Sequence, residues 1–148
     1  MSAHRIQVAP LSELTSLEAF ELFKLRVDVF VAEQHCPYRE LDEQDTYPDT
    51  LHLLAWNGAV LEGCARVFPT ATGSQFGRFV VAPAARGTGL GAQIARTGIQ
   101  LTERWPGDLI VEAQSGLVPY YEQFGLVAEG EEFLDTGVPH RVMRLRRS

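Results

Sequence analysis

Apolar residues along the chain alternate between a helical spacing of three and four and short, nearly continuous strand-like runs. Ile6 to Val8 reads as a short edge strand. From Ser12 or Thr15 to about Gln34, Leu22, Leu25, Arg26, Val29 and Phe30 recur at helical spacing, and Phe23 and Val27 widen the stripe. A stop is expected at His35-Cys36-Pro37, because proline restricts the residue before it and has no N–H to donate. The polar, acidic segment 38–50 reads as a loop.

Two apolar runs, 51–56 and 60–68, flank Asn57-Gly58, a dipeptide that tolerates the positive φ of a hairpin turn. After a turn at 69–74, a third strand is predicted over 76–81. Helix follows from about Leu90 to Arg104 and ends at Pro106-Gly107. A strand over 109–113, interrupted by Glu112, leads to a short helix over 118–124 closed by Gly125. Strands over 126–133 and 138–145 are joined by Asp135-Thr136-Gly137. The order predicts an α/β fold, a mixed sheet covered by helices. With no internal repeat, low-complexity tract or linker, residues 1–148 read as one domain.

Size, charge, cysteines and the N-terminus narrow the reading further. A chain of 148 residues should expose roughly 7,500 Å² when folded, enough to bury a core without staples. Thirteen Lys and Arg against nineteen Asp and Glu give a net charge of -6, which disfavours a nucleic-acid partner and favours a cationic acceptor. Cys36 and Cys64 show no CxxC spacing and read as reduced thiols. MSAHRIQVAP has no apolar signal core and no run of 18 apolar residues occurs, so the expectation is a cytoplasmic protein without a membrane span.

The sharpest local signal runs from Phe79 to Ala92, where a strand feeds Gly87-Thr88-Gly89-Leu90-Gly91 and opens a helix. Glycines let backbone N–H groups converge, and the helix N-terminus adds its positive end, so such a turn is either a pyrophosphate cradle or a glycine-rich structural turn. A P-loop would need a lysine after the glycines, but Lys24 is the sole lysine. A dinucleotide fingerprint would read GxGxxG, not GxGxG, and too little chain follows for that domain.

Arg86-x-x-Gly89-x-Gly91, preceded by Val81-x-Pro83, resembles the acetyl-coenzyme A motif of the GCN5-related N-acetyltransferase (GNAT) family. The stretch from Leu25 to Tyr38 and Gly137-Val138-Pro139-His140 are similar to its small bacterial ElaA-like members, so the resemblance spans nearly the whole chain. It implies a single-domain acyl-CoA N-acyltransferase fold in which the strands at 76–81 and 109–113 splay apart. Arg86, Gly87, Thr88, Gly89, Leu90, Gly91 and Ala92 would hold the pyrophosphate, while Phe79, Val80 and Val81 would offer main-chain groups to the acetyl and pantetheine arm. Gln114 stands where many members carry an asparagine that holds the cofactor.

Tyr120-Tyr121-Glu122-Gln123-Phe124-Gly125-Leu126 resembles the family's Tyr-x-x-x-Gly-Phe segment, with Leu126 in place of phenylalanine. Tyr121 falls on the tyrosine that protonates the departing thiolate, a task suited to a phenol. Glu33, Glu112 and His140 are the candidates for the base that deprotonates the amine. Asp42, Glu43, Asp45 and Asp49 read as solvated loop charges or as an attraction for the amine, and His35-Cys36 has no partners at metal-ligand spacing. Arg141, Arg144, Arg146 and Arg147 form a basic tail read as solvated or contacting phosphate. The resemblance implies direct transfer of an acetyl group from acetyl-CoA to a primary amine on a small molecule or peptide, without a metal. The competing reading is a noncatalytic acyl-CoA sensor or partner-binding module. Apolar helix surface and edge strands are compatible with a homodimer.

Overall fold

The computed structural model describes residues 4–34, 41–135 and 137–147. Seven strands form one sheet in the order β1-β2-β3-β4-β5-β7-β6. The strands are β1 (Arg5–Ala9), β2 (Leu51–Asn57), β3 (Val60–Pro69), β4 (Gly73–Val81), β5 (Asp108–Gln114), β6 (Val127–Asp135) and β7 (Val138–Leu145). The helices are α1 (Ser16–Arg26), α2 (Leu90–Leu101) and α3 (Val118–Glu122). Neighbouring strands run antiparallel except β4 and β5, which are parallel.

Alternation along the central strands buries both faces of the sheet. Leu53, Ala65, Val67 and Phe76 point to one side, where Leu90, Ile94 and Ala95 of α2 and Tyr121 of α3 cover them. Leu54, Trp56, Cys64 and Val80 point to the other, against Leu22 of α1 and Val29 and Phe30 beyond it. Each fully buried aliphatic side chain contributes about 1.5–3 kcal/mol. The exposed area of 7881 Å² is near that expected from chain length. Gly98 lets α2 lie flat on the sheet, since a Cβ there would come within 2.5 Å of the Phe76 ring.

The start of α1 is set at Thr15, whose side chain accepts from the Glu18 N–H while Glu18 accepts from the Thr15 N–H. The predicted continuation toward Gln34 exists, but Val27–Glu33 is a π-helix, closed by the Gln34 N–H donating to the Val29 carbonyl at 2.9 Å. The stop expected at His35-Cys36-Pro37 lies outside the described residues, as does Thr136 of the last turn. Strand β4 begins at Gly73, earlier than its apolar run suggested, because the Gly73 carbonyl accepts from the Thr70 N–H in a tight turn.

Two charge expectations need correction. The acidic loop is not simply solvated: Asp45 is 2% exposed and accepts from Arg26 at 3.0 and 3.1 Å and from Arg66 at 2.9 Å. The basic tail is likewise tied into the fold. Arg144 bonds to Glu129 and Asp108, and Arg147 donates to the Ile99 carbonyl and the Thr102 hydroxyl at the end of α2.

Candidate active site

The parallel pairing of β4 with β5 covers only Gly73↔Asp108, Ser74↔Leu109 and Gln75↔Ile110. Beyond Gln75 the two strands separate, which is the splay that the resemblance implied. The β3–β4 ladder is also interrupted: Gly77 pairs with Arg66 and Val80 with Cys64, so Arg78 and Phe79 face Ala65 without register partners. This two-against-one arrangement is a β-bulge. Arg78 carries a φ of +47°, the sole positive value at a non-glycine among the described residues.

Two cavities meet at the splay. The first, of about 470 Å³, is lined by Val29, Gln34, Phe79, Val80, Val81 and the turn residues Arg86, Gly87, Gly89, Gly91 and Ala92, with Tyr120 closing one side. That volume falls within the range of small-molecule sites. Gly87 and Gly89 adopt φ of +79° and +87°, and a Cβ on either would meet nothing within 4 Å, so the space above the turn is open. Gly89 caps α2 without a side-chain hydrogen bond, which leaves the first amides of this 12-residue helix to an anion. The turn therefore fits the pyrophosphate of a coenzyme A. Leu90 is 1% exposed in the core and the Thr88 hydroxyl donates to the Ala85 carbonyl at 2.6 Å, so neither side chain lines the cavity.

The second cavity, of about 100 Å³, is predominantly polar and lies on the other side of Phe79 and Leu117, which border both. Arg66, Arg78, Glu112, Gln114, Tyr121 and His140 are among its lining. Two expected cofactor contacts, Gln114 and Tyr121, thus sit on this side, and Gln114 donates to Gln34 at 3.1 Å across the gap between β5 and the π-helix. Tyr121 is 5% exposed, packed edge-on against Phe76 and Phe79. Burial, and secondarily Tyr120, pushes its phenol well above the ordinary tyrosine range, so it holds its proton at every working pH.

His140 lies in the same cavity, its ring stacked on Phe133. Its Nδ1 is 2.7 Å from the Val138 carbonyl. A carbonyl oxygen only accepts, so Nδ1 carries the hydrogen and the neutral ring keeps its lone pair on Nε2. Glu112, solvent-exposed on β5, shares this wall. Glu33 does not: its carboxylate accepts from Arg86 at 2.7 and 2.9 Å, and those hydrogen bonds hold its pKa below the usual glutamate value. A base must hold its proton weakly enough to pass it on yet attract it first, and the Arg86 pair opposes that attraction.

Sequence reasoning missed Arg78 and the network behind it. Arg66 donates to Asp42 at 2.7 and 3.2 Å, and Arg78 lies 3.5 Å from the same carboxylate. Burial works to raise the pKa of Asp45, but its bonds to Arg26 and Arg66 outweigh it and keep the carboxylate ionised. An arginine inside the apolar stripe of α1 was the one available sign that a buried acid had to meet it.

A parallel splay between β4 and β5, a bulge beside it and a glycine turn at a helix start define the acyl-CoA-binding acyltransferase architecture. The profile of the acetyltransferase (GNAT) domain matches residues 15–147, and the chain belongs to that family. It is 34% identical to Protein ElaA of Escherichia coli K12 over 134 residues, covering 87% of this chain and 88% of that one. The fold superposes on a crystal structure of Escherichia coli ElaA with a TM-score of 0.89 at 31% identity, covering 95% of this chain and 98% of that one. An acyl-CoA N-acyltransferase from Pseudomonas aeruginosa matches with a TM-score of 0.88 at 36% identity, again over 95% and 98% of the chains.

Proposed function

We propose that the protein is a single-domain N-acetyltransferase that moves the acetyl group of acetyl-CoA to a primary amine of a small molecule or peptide. The observation that carries this reading is the meeting of the two cavities at Phe79, with the pyrophosphate turn on one side and Tyr121 and His140 on the other. Among the described residues no helix is long and apolar enough to cross a membrane, and we take the cytoplasm as its compartment.

Acetyl-CoA would supply the activated acyl carbon. His140 Nε2 takes a proton from the amine, with Glu112 on the same wall as the alternative base. The neutral nitrogen attacks the thioester carbonyl, the C–N bond forms and the C–S bond breaks. The Phe79 N–H at the bulge offers a hydrogen bond to the carbonyl oxygen as it gains charge. Tyr121 gives its proton to the departing sulfur and recovers one from the nitrogen, which sheds its second proton as the amide forms. Cys64 takes no part, being fully buried with its thiol directed at the Arg78 carbonyl 3.9 Å away.

Incubating the protein with acetyl-CoA and a pool of amines and short peptides, then reading products by mass spectrometry, tests the proposal. Selective gain of an acetyl group by one amine class supports it. Acetyl-CoA binding with no acetylated product would favour the noncatalytic sensor.

A further inference from the structure

The left-handed turn at Arg78 is costly for a side chain with a Cβ, typically about 1–2 kcal/mol, and persists only where its surroundings fix it. Its place is informative. It lies immediately before Phe79, at the point where β4 has lost its partner on both sides. The turn breaks the regular β3–β4 ladder at Phe79, beside the splay.

Two contacts hold this turn. The Arg78 carbonyl accepts from the Cys64 thiol at 3.9 Å, and its guanidinium lies 3.5 Å from Asp42. Asp42 is itself fixed. It accepts two bonds from Arg66 on β3, and its N–H donates to Asp45 at 3.2 Å. Asp45 is clamped by Arg26 of α1 in a buried two-bond pair. An unbroken chain of charge-assisted contacts therefore runs from α1 through the acidic loop to the strained residue. Such a chain holds one geometry better than any single pair.

We propose that Asp42 is a positioning residue for acyl transfer: through Arg78 it holds the β4 bulge in the conformation that presents the Phe79 N–H to the thioester carbonyl. This rests on the acyltransferase reading of the site. Asp42 touches neither donor nor acceptor in this role; it acts through backbone geometry two elements away.

The test reads the carbonyl directly and needs no acceptor. Acetyl-CoA labelled with ¹³C at the acetyl carbonyl is bound to the wild type and to Asp42→Asn, Arg78→Gly, Arg78→Ala and the Asp42→Asn/Arg78→Gly double variant. The C=O stretch is followed by infrared difference spectroscopy, with affinity and thermal unfolding measured alongside. The wild type should lower the stretching frequency relative to free acetyl-CoA. Asp42→Asn and Arg78→Ala should lose at least half of that shift while the dissociation constant changes less than about threefold. Glycine adopts φ near +47° without strain, so Arg78→Gly should keep most of the shift, and adding Asp42→Asn to it should change nothing further.

A full shift in Asp42→Asn overturns the proposal. So does an equal loss in the presence and absence of Arg78→Gly, since Asp42 would then act by another route. Should Asp42→Asn unfold, the comparison of Arg78→Ala with Arg78→Gly decides alone: equal shifts overturn the proposal. Failure of the wild type to bind acetyl-CoA is a different result, and removes the acyltransferase reading itself.

Discussion

Single side chains divide the labour at the junction of the two cavities. Tyr121 is buried and keeps its proton, while the Val138 carbonyl fixes the His140 ring with its hydrogen on Nδ1. A general acid of this kind contributes about 10²–10⁴-fold. Tyr121→Phe should therefore lower turnover by at least about 10²-fold while acetyl-CoA affinity, measured by titration calorimetry, stays within a few fold; unchanged turnover would reject the role. Glu33 offers a contrasting case. It pairs with Arg86 beside the glycine turn, and on the proposed reading it neutralises a cation that the phosphates would otherwise meet. Glu33→Gln should tighten acetyl-CoA binding about two- to fivefold at low salt, and the gain should vanish at high salt. Weaker binding at low salt would show that the pair orders the site.

At the scale of elements, the glycine turn was legible because its backbone demands are written in the residue types themselves. Gly87 and Gly89, both at positive φ, mark a tight turn into a helix whatever surrounds them. The β4 bulge was not legible, since arginine in a run of strand formers carries no sign of a positive φ. The π-helix was equally hidden: the same apolar residues satisfy an α-helical stripe, and only packing places Val29 on the first cavity and Phe30 on the second. Element packing also sets the limits of substitution. Alanine is normally preferred to glycine inside a helix, yet Gly98→Ala would drive a methyl into Phe76. We expect a loss of about 1–3 kcal/mol in urea unfolding; a gain in stability would mean that α2 can lift from the sheet at no cost.

The whole molecule is a sheet buried on both faces and braced on one side by ions. His52, fully buried on β2, shares that brace, lying 3.0 Å from the Asp45 carbonyl. Burial holds its pKa below 6.5, so the unfolded chain takes up the proton first as pH falls. Stability should be full above about pH 6.5 and decline below it toward the lowered folded value, by up to about 1.4 kcal/mol per pH unit. Urea midpoints across this range should show that slope, and His52→Gln should flatten it. A slope unchanged in His52→Gln would assign the acid sensitivity elsewhere. The places of the strands followed from periodicity and two of their pairings from hairpin turns, whereas the sheet order and the ionic brace join residues far apart in sequence that pattern cannot bring together. Net charge pointed to a cationic acceptor, and the polar cavity sets two carboxylates, Glu112 and Asp135, beside Arg66 and Arg78, which are themselves paired with acids of the loop. Local chemistry, not the overall balance, sets what that cavity meets.

If the two cavities form one site with the acyl carbon at their junction, a crystal structure of the protein bound to acetyl-CoA will place the pyrophosphate on the amides of Gly87 to Gly91 and the acetyl carbonyl at the Phe79 N–H, within reach of the Tyr121 hydroxyl. Pyrophosphate held away from that turn, or an acetyl group directed away from Phe79 and Tyr121, would show that they do not.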